Sequence, residues 1–432
     1  MSVLRIIAAG AACVALSTTP AAQTTAGVVR AFVGARILAS PERPPIDRGV
    51  MLVKDGRVLA LGSDVVVPDG ATVVDVAGKT VIPGLISAHA HISDVDGLKP
   101  RAYTAENTER QLRLFARYGI TSVWSLGGEQ APAFAARAAQ DTPALDRARL
   151  FLAGDVIVGD TPEAARQMVD RVAALHPDII KIRVDDNLGT TKKMTPDVYE
   201  AVIAAAHARG LKVAAHIFYL EDAKRLLRAG VDMIAHSVRD QPIDAEFISL
   251  MNARNVPYCP TLTREISTFA YEATPAFFSD PFFLREADLA VVERLKEPAR
   301  QAAMRESVAA QKYKTGLAVA ERNLGAAVEG GVRVVMGTDA GVSPERFSGY
   351  FEHREMELMV QSGMRPGEVL RAATIDAAQA MGRGTGTIAI GEWADFVVLD
   401  RDPLQDIANT RSIASVWIAG NPVARSFAVS RQ

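Results

Sequence analysis

The strongest constraint on this chain is the repeated alternation, through its middle, of short apolar β-type runs with stretches of helical periodicity. Eight such runs occur, at 80–86, 120–125, 150–153, 179–184, 211–216, 231–235, 256–260 and 332–337. At least one segment of helical spacing separates each from the next, for example 196–209 and 221–229. Strands that are each followed by a helix run parallel, because the helix carries the chain back to the starting edge. Eight βα units predict an α/β fold of the closed (β/α)8, or TIM, barrel kind rather than an open doubly wound sheet. Residues just past the C-terminal ends of such strands occupy the catalytic face. The longest gap, 262–330, reads as an insertion after the seventh strand, placed to act as a lid.

β-rich text flanks the barrel on both sides. Asp55-Gly56 stands between the runs 49–53 and 57–61, a hairpin signal. The same texture returns at 393–400 and 413–421 without a Gly/Ser or Pro linker. The expectation is one small β-sandwich built jointly from 28–80 and 384–428, with the barrel at 81–383. A chain of 432 residues, 49% of them hydrophobic, has room for both.

Residues 1–22 differ from the rest. Arg5 is the only charge before Arg30, residues 6–16 are apolar, and small residues fill 17–22. That is the layout of a secretory signal peptide cleaved near Ala21 or Ala22, and it predicts an exported protein, periplasmic or secreted. The run is too short for a bilayer, which needs about 20 residues, and no other segment is long and apolar enough to span one. Removal of the leader takes Cys13 with it and leaves Cys259 as the single thiol, so no internal disulfide forms. The net charge of −2 provides no electrostatic footprint for nucleic acid. A small-molecule substrate and a homo-oligomer are expected.

The chain has seven histidines, and four of them end predicted strands. His89 and His91 follow the first as His-x-His; on an extended chain, residues i and i+2 point the same way, so both imidazoles can reach one ion. His216 ends the fifth strand and His236 the sixth, while Asp339 ends the eighth. Each alone is ordinary: a lone strand-end His is more often hydrogen-bonded structure than ligand, and an Asp before Ala-Gly is usually a turn residue. Lys181, inside the apolar fourth strand, is harder to explain, because a buried ammonium costs several kcal/mol unless paired or chemically altered. Their coincidence on one barrel face points to a metal site.

These positions lie in Val81-Ile82-Pro83-Gly84-Leu85-Ile86-Ser87-Ala88-His89-Ala90-His91, Asp178-Ile179-Ile180-Lys181 and Val213-Ala214-Ala215-His216. Ala229-Gly230-Val231-Asp232-Met233-Ile234-Ala235-His236, Gly337-Thr338-Asp339-Ala340-Gly341 and the tail Gly391-Glu392-Trp393-Ala394-Asp395-Phe396-Val397-Val398-Leu399-Asp400 complete the set. Taken in this order, the chain resembles the metal-dependent amidohydrolase superfamily. Within it, the likeness is to the branch of imidazolonepropionase-like proteins and binuclear dipeptidases, of the Xaa-Pro dipeptidase and ochratoxinase type. The resemblance implies two divalent ions, usually zinc. His89, His91 and Asp339 would hold the more buried one, and His216 and His236 the other. Lys181 would be N-carboxylated and bridge both ions; a carbamate is an anionic oxygen donor, which suits a cation pair where an ammonium does not. Asp339 would also relay a proton to the leaving group, so Asp339 and Lys181 are the residues expected to serve catalysis. Three positions depart from the family pattern: Ser87 replaces a usual Asp, Phe218 a frequent His and Ala235 a frequent Glu. The ligand set stays complete, and the pocket beside it becomes less polar.

For substrate contact, the candidates are Arg183, Phe218, Tyr219 and Arg264. Arg183 lies two residues beyond Lys181 and could meet a carboxylate, with Asp185 or Asp186 as its alternative partner. Phe269, Tyr271, Phe277, Phe278, Phe282 and Phe283 fall within the insertion, as a pocket wall or as packed helix and oligomer contact. His353 reads as structural, and His176 and His207 as surface residues. The leading expectation is hydrolysis of an amide bond in a small N-acyl amino acid or dipeptide-like molecule with a hydrophobic C-terminal residue. Hydrolysis of a lactone, cyclic amide or phosphotriester on the same metals is the alternative. A barrel that has lost catalysis and serves in binding or assembly is a third reading, against which the complete ligand set speaks.

Overall fold

The computed structural model describes residues 27–92, 94–383 and 386–424. The expected leader, 1–22, lies outside them. Parallel strands Leu85–Ala90, Ile120–Ser125 and Arg149–Leu152 form one arc of the barrel, and Ile180–Val184, Val213–Ile217, Met233–Ala235 and Tyr258–Cys259 form the other. Backbone bonds close the ring. The Asp178 amide donates to the Leu152 carbonyl at 2.8 Å and the Ile157 amide to the Lys181 carbonyl at 2.8 Å. The eighth run, 332–337, joins by isolated ladder bonds rather than as a full strand: Val335 N donates to Tyr258 O at 3.0 Å, and Ala88 N to Met336 O at 2.8 Å.

Outward positions of the fourth and fifth strands, Ile180, Ile182, Val213 and Ala215, pack under the surrounding helices with Val169, Val202 and Leu226. Inward positions such as Ile86, Trp124, Ala214, Met233 and Val335 fill the barrel core, which Ala377, Ala378 and Met381 close from below. The helices follow their caps. Pro162–Ala173 starts with Pro at its first turn and Thr161 Oγ1 accepting from Ala164 N. Leu220–Ala229 ends at Gly230, whose φ of +103° few other residues adopt.

One boundary differs from the sequence expectation. The run 80–86 is two strands, broken at Gly84. Thr80–Pro83 belongs to the small domain, pairing with Phe396–Leu399 and Arg30–Ile37, and only Leu85–Ala90 enters the barrel. An apolar run carries no mark of which sheet each half joins. The small domain is one continuous sheet ordered Asn421–Pro422, Ile413–Ile418, Phe396–Leu399, Thr80–Pro83, Arg30–Ile37, Ile46–Lys54, Arg57–Gly62, with Thr72–Asp75 beside Arg30–Ile37. Its two wings share a core of Phe32, Met51, Val81, Phe396 and Trp417. Asp55 and Gly56 form the expected tight turn, both at positive φ.

In the insertion, Val308–Glu329 is a long helix preceded by short helical turns. Its aromatics pack on one another and on the segment after the eighth strand. Phe277, Phe278 and Phe283 meet Phe347 at 4.8–6.2 Å between ring centroids, and Tyr271 and Phe283 are fully buried. Most of this cluster is core, and Phe283 and Phe347 also line a narrow cleft with Gly341, Ser343 and Arg346 after the eighth strand.

Candidate metal centre

The strand ends bring the expected ligands together. A β-bulge between Ser87 and Ala90 shifts the register of the first strand just where the histidines begin. His91 Nε2 lies 2.9 Å, and His89 Nε2 3.2 Å, from Asp339 Oδ1. One ligand atom from each of these three residues lies within 4.8 Å of the other two. Lys181 Nζ is 3.2 Å from His89 Nε2. The His236 ring sits 4.7 Å from His89 and 4.1 Å from His216, centroid to centroid, so the second pair adjoins the first. His89, His91, Lys181, His236 and Asp339 are all buried.

Three of the four rings are oriented by their second nitrogen, while His89 Nδ1 is buried with no hydrogen-bond partner among the described residues. His91 Nδ1 donates to the Gly127 carbonyl at 3.0 Å and faces Asp94 at 3.2 Å. His216 Nε2 meets Asp185 Oδ2 at 2.7 Å, which leaves Nδ1 for a ligand role, and His236 Nδ1 meets Thr261 Oγ1 at 2.7 Å, which leaves Nε2. His236, Thr261 and Asp339 all have positive φ, +73°, +51° and +60°. Left-handed backbone costs about 1–2 kcal/mol at such residues and persists where surrounding structure over-determines it, characteristically at functional sites.

The electrostatics suit a cation. Burial, then the nearby Lys181, lowers the His89 pKa to about 3, and burial holds His216 and His236 well below the usual range. These imidazoles are neutral and can offer lone pairs. At His91 burial is outweighed by hydrogen bonds to Asp339 and Asp94, which raise it to about 10. Asp339 resists its burial through Arg346, His89 and His91 and stays well below the carboxylate range. Burial lowers Lys181 to about 8. A metal fits this set: bonds of about 2.0–2.1 Å at a tetrahedral angle place ligand atoms roughly 3.3 Å apart, close to the separations between Asp339 and the two histidines. The donors are the imidazoles and carboxylate that divalent zinc-like ions take.

The remaining candidates are placed variously. Arg183, beside His216 in register, is 43% exposed and lies 3.7 Å from Asp185, the alternative partner in its sequence reading. With Lys192, Lys193 and Val158 it lines a cleft of about 270 Å3. Phe218 and Tyr219 line a groove of about 620 Å3 against the helix Val308–Glu329. Arg264 is buried, bonded to Glu265 at 3.0 Å and stacked on Tyr313. His353 is structural, bonded to Thr410 and the Tyr118 carbonyl. His207 pairs with Asp232 on the outside. A cavity of about 680 Å3 between the small domain and the barrel, lined by Leu38, Ile82 and Leu370, holds none of the candidate ligands.

Sequence reasoning missed the groups that hold the ligands. Arg346 pairs with Asp339 Oδ2. Glu129 accepts from the Gly127 amide at 2.8 Å and the Gly154 amide at 2.7 Å, and so fixes the carbonyl that orients His91. Glu352 takes the Ser87 hydroxyl at 3.1 Å and the Thr338 hydroxyl at 2.6 Å, which ties the first strand to the eighth at the departure from the family pattern. Only Glu129, following Gly127-Gly128 at a strand end, carried a local signal.

Fold and site define a class: barrel hydrolases whose strand mouths can hold metal. The Amidohydrolase family model matches residues 80–423, and the chain belongs to that family of hydrolases acting on carbon–nitrogen bonds. It is 23% identical over 451 residues to the imidazolonepropionase of Treponema denticola, across 91% of this chain and 97% of that one. Among solved structures it is similar to a Xaa-Pro dipeptidase with methionine bound in its active site, with TM-score 0.74, 22% identity, and 91% and 99% of the two chains covered. The A. niger ochratoxinase aligns with TM-score 0.69 and 17% identity over 92% of this chain and 95% of that one.

Proposed function

We propose that this protein is an exported, binuclear amidohydrolase that cleaves the amide bond of a small N-acyl amino acid or dipeptide-like molecule with a hydrophobic C-terminal residue, of the ochratoxin type. The observation that carries the reading is the convergence of His89, His91 and Asp339 around one point, with Lys181 touching His89 and the His216–His236 pair adjoining. Export rests on the leader-type layout of residues 1–22.

The chemistry a pair of zinc ions supplies here is Lewis-acid activation of the scissile carbonyl and of water. His89, His91 and Asp339 would hold one ion and His216 and His236 the other, with Lys181 as a carbamate between them. Formation of a carbamate needs the neutral amine, and burial favours that form of Lys181. Asp339 is anionic and buried at the junction, placed to accept a proton from the attacking water and return it to the departing amine. Arg183 offers a cation at the mouth for a substrate carboxylate, and Phe218 and Tyr219 offer apolar surface in the adjoining groove.

Purified protein is expected to carry close to two transition-metal ions per chain by elemental analysis, and a chelator should abolish activity reversibly. His216→Ala or His236→Ala should empty mainly one position, and His89→Ala or His91→Ala the other. Fully active metal-free protein would overturn the reading. Arg183→Ala should lower kcat/KM by ~10-fold or more on free-acid substrates and little on their amides. His216 keeps Asp185 in place in that variant, so the change isolates the lost cation. Equal wild-type rates on acid and amide remove this role from Arg183, and a preference for lactones moves the assignment to ester chemistry.

A further inference from the structure

Arg239 is among the largest fully buried side chains in the protein, and neither the expected ligand set nor the substrate contacts use it. Its Nη1 donates to two backbone carbonyls at once: Ile217 O at 3.0 Å and Ser237 O at 2.8 Å. Ile217 follows His216, and Ser237 follows His236. One nitrogen therefore ties together the chain immediately beyond both histidines of the second pair. The Arg239 amide also donates to the Phe218 carbonyl at 3.1 Å, so side chain and backbone grip the same strand end.

The guanidinium itself meets a carboxylate and an aromatic ring. Its Nε lies 3.2 Å from Glu265, which is fully buried in the helix Leu262–Ser267 following the seventh strand. Its plane covers the Phe218 ring at 4.6 Å. Gly316 of the helix Val308–Glu329 packs on the backbone and stem of Arg239, where a Cβ would stand in ordinary contact at 3.5 Å from the Arg239 carbonyl. The ends of the fifth, sixth and seventh strands thus meet on one side chain. The need for such a tie is visible at His236, whose φ of +73° departs from strand geometry. Ser237 is held at the same point by its own hydroxyl, which donates to the Pro260 carbonyl at 3.0 Å.

We propose that Arg239 is a positioning residue for the His216–His236 pair: by binding the Ile217 and Ser237 carbonyls it sets the spacing of the two imidazoles, and with it the capacity of that half of the site to hold a metal ion. The proposal rests on the two-ion reading above. A guanidinium fork suits the task, since it presents donors in a fixed plane, whereas an ammonium is a flexible point donor. Groups one step removed from a metal typically alter its affinity 10–100-fold.

The test is zinc titration of the full chain by equilibrium dialysis with elemental analysis, together with the visible spectrum of the cobalt-substituted protein. In Arg239→Met, the second ion is expected to bind at least ~10-fold more weakly, with the first unchanged. Arg239→Lys keeps the charge but not the fork, and should weaken the second ion less, though measurably. If the Met variant fails to fold, the Lys variant decides alone. Wild-type affinity for both ions in either folded variant overturns the proposal, and so does equal weakening of both ions, which would make Arg239 a general stabiliser. A wild-type protein whose metal content is unchanged by His216→Ala overturns the two-ion reading instead, and the two failures are told apart by that control.

Discussion

Asp339→Asn is expected to lower kcat by at least ~10²-fold while the protein stays folded. The side chain stands within hydrogen-bonding range of His89 and His91 and pairs with Arg346, and in the proposed mechanism its charge would serve as ligand and proton carrier at one point. An amide of the same shape is a weaker, neutral ligand and cannot take up the proton. Survival of the fold follows from the backbone: Asp339 sits at φ +60°, and Asn is among the few residues that tolerate this region. Asp339→Ala would add backbone strain and confuse the result. Stopped-flow or steady-state rates, with circular dichroism as control, check it. An active Asp339→Asn enzyme would remove the proton-transfer role from this residue.

Lys181→Ala is expected to reduce activity by more than ~10²-fold, beyond the usual effect of a group one step removed from a metal. Its stability should behave unusually. Lys181 is buried, and His89 is the side chain that meets its amine within hydrogen-bonding distance among the described residues. Deleting an ammonium that lacks a bonded carboxylate removes a desolvation cost, so the metal-free variant should melt no lower than the metal-free wild type. Short carboxylic acids should restore part of the activity of the metal-loaded variant by supplying the missing bridging oxygens. Full activity in Lys181→Ala, or a crystal structure showing two metals beside an unmodified amine, would contradict the carbamate.

What the sequence revealed, and what it hid, follows from the range of the interactions. His89, His91, His216, His236 and Asp339 are readable because each stands at or just past the end of an apolar run, where a barrel places its catalytic face. Lys181 stands out because a charge inside such a run is anomalous. Arg239, Glu352 and Arg346 look like ordinary polar residues of loops and helices. Their meaning depends on which carbonyl, amide or carboxylate the closed barrel brings to them, and Glu352 reaches Ser87 across 265 positions. The split at Gly84 was hidden for a related reason: both halves of 80–86 are apolar, and only the partner strands differ. The insertion aromatics were ambiguous because pocket wall and core use the same residues, and packing with Phe347 and Phe283 decided for core.

The small sheet has a consequence for how the chain is made. Thr80–Pro83 gains its neighbour Phe396–Leu399 only after the whole barrel has been made, and Arg30 bonds to Gly420 across 390 positions. Until then the amino-terminal strands carry an open edge, with Phe32, Met51 and Val81 lacking the cover of Phe396 and Trp417. Contacts so distant form slowly, and exposed edges invite pairing with other chains in the meantime. The strand left waiting runs, across Gly84, straight into the one that bears His89 and His91. A chain stopped before residue 396 therefore lacks the partner of Thr80–Pro83, the strand that leads into the barrel strand ending at the histidines.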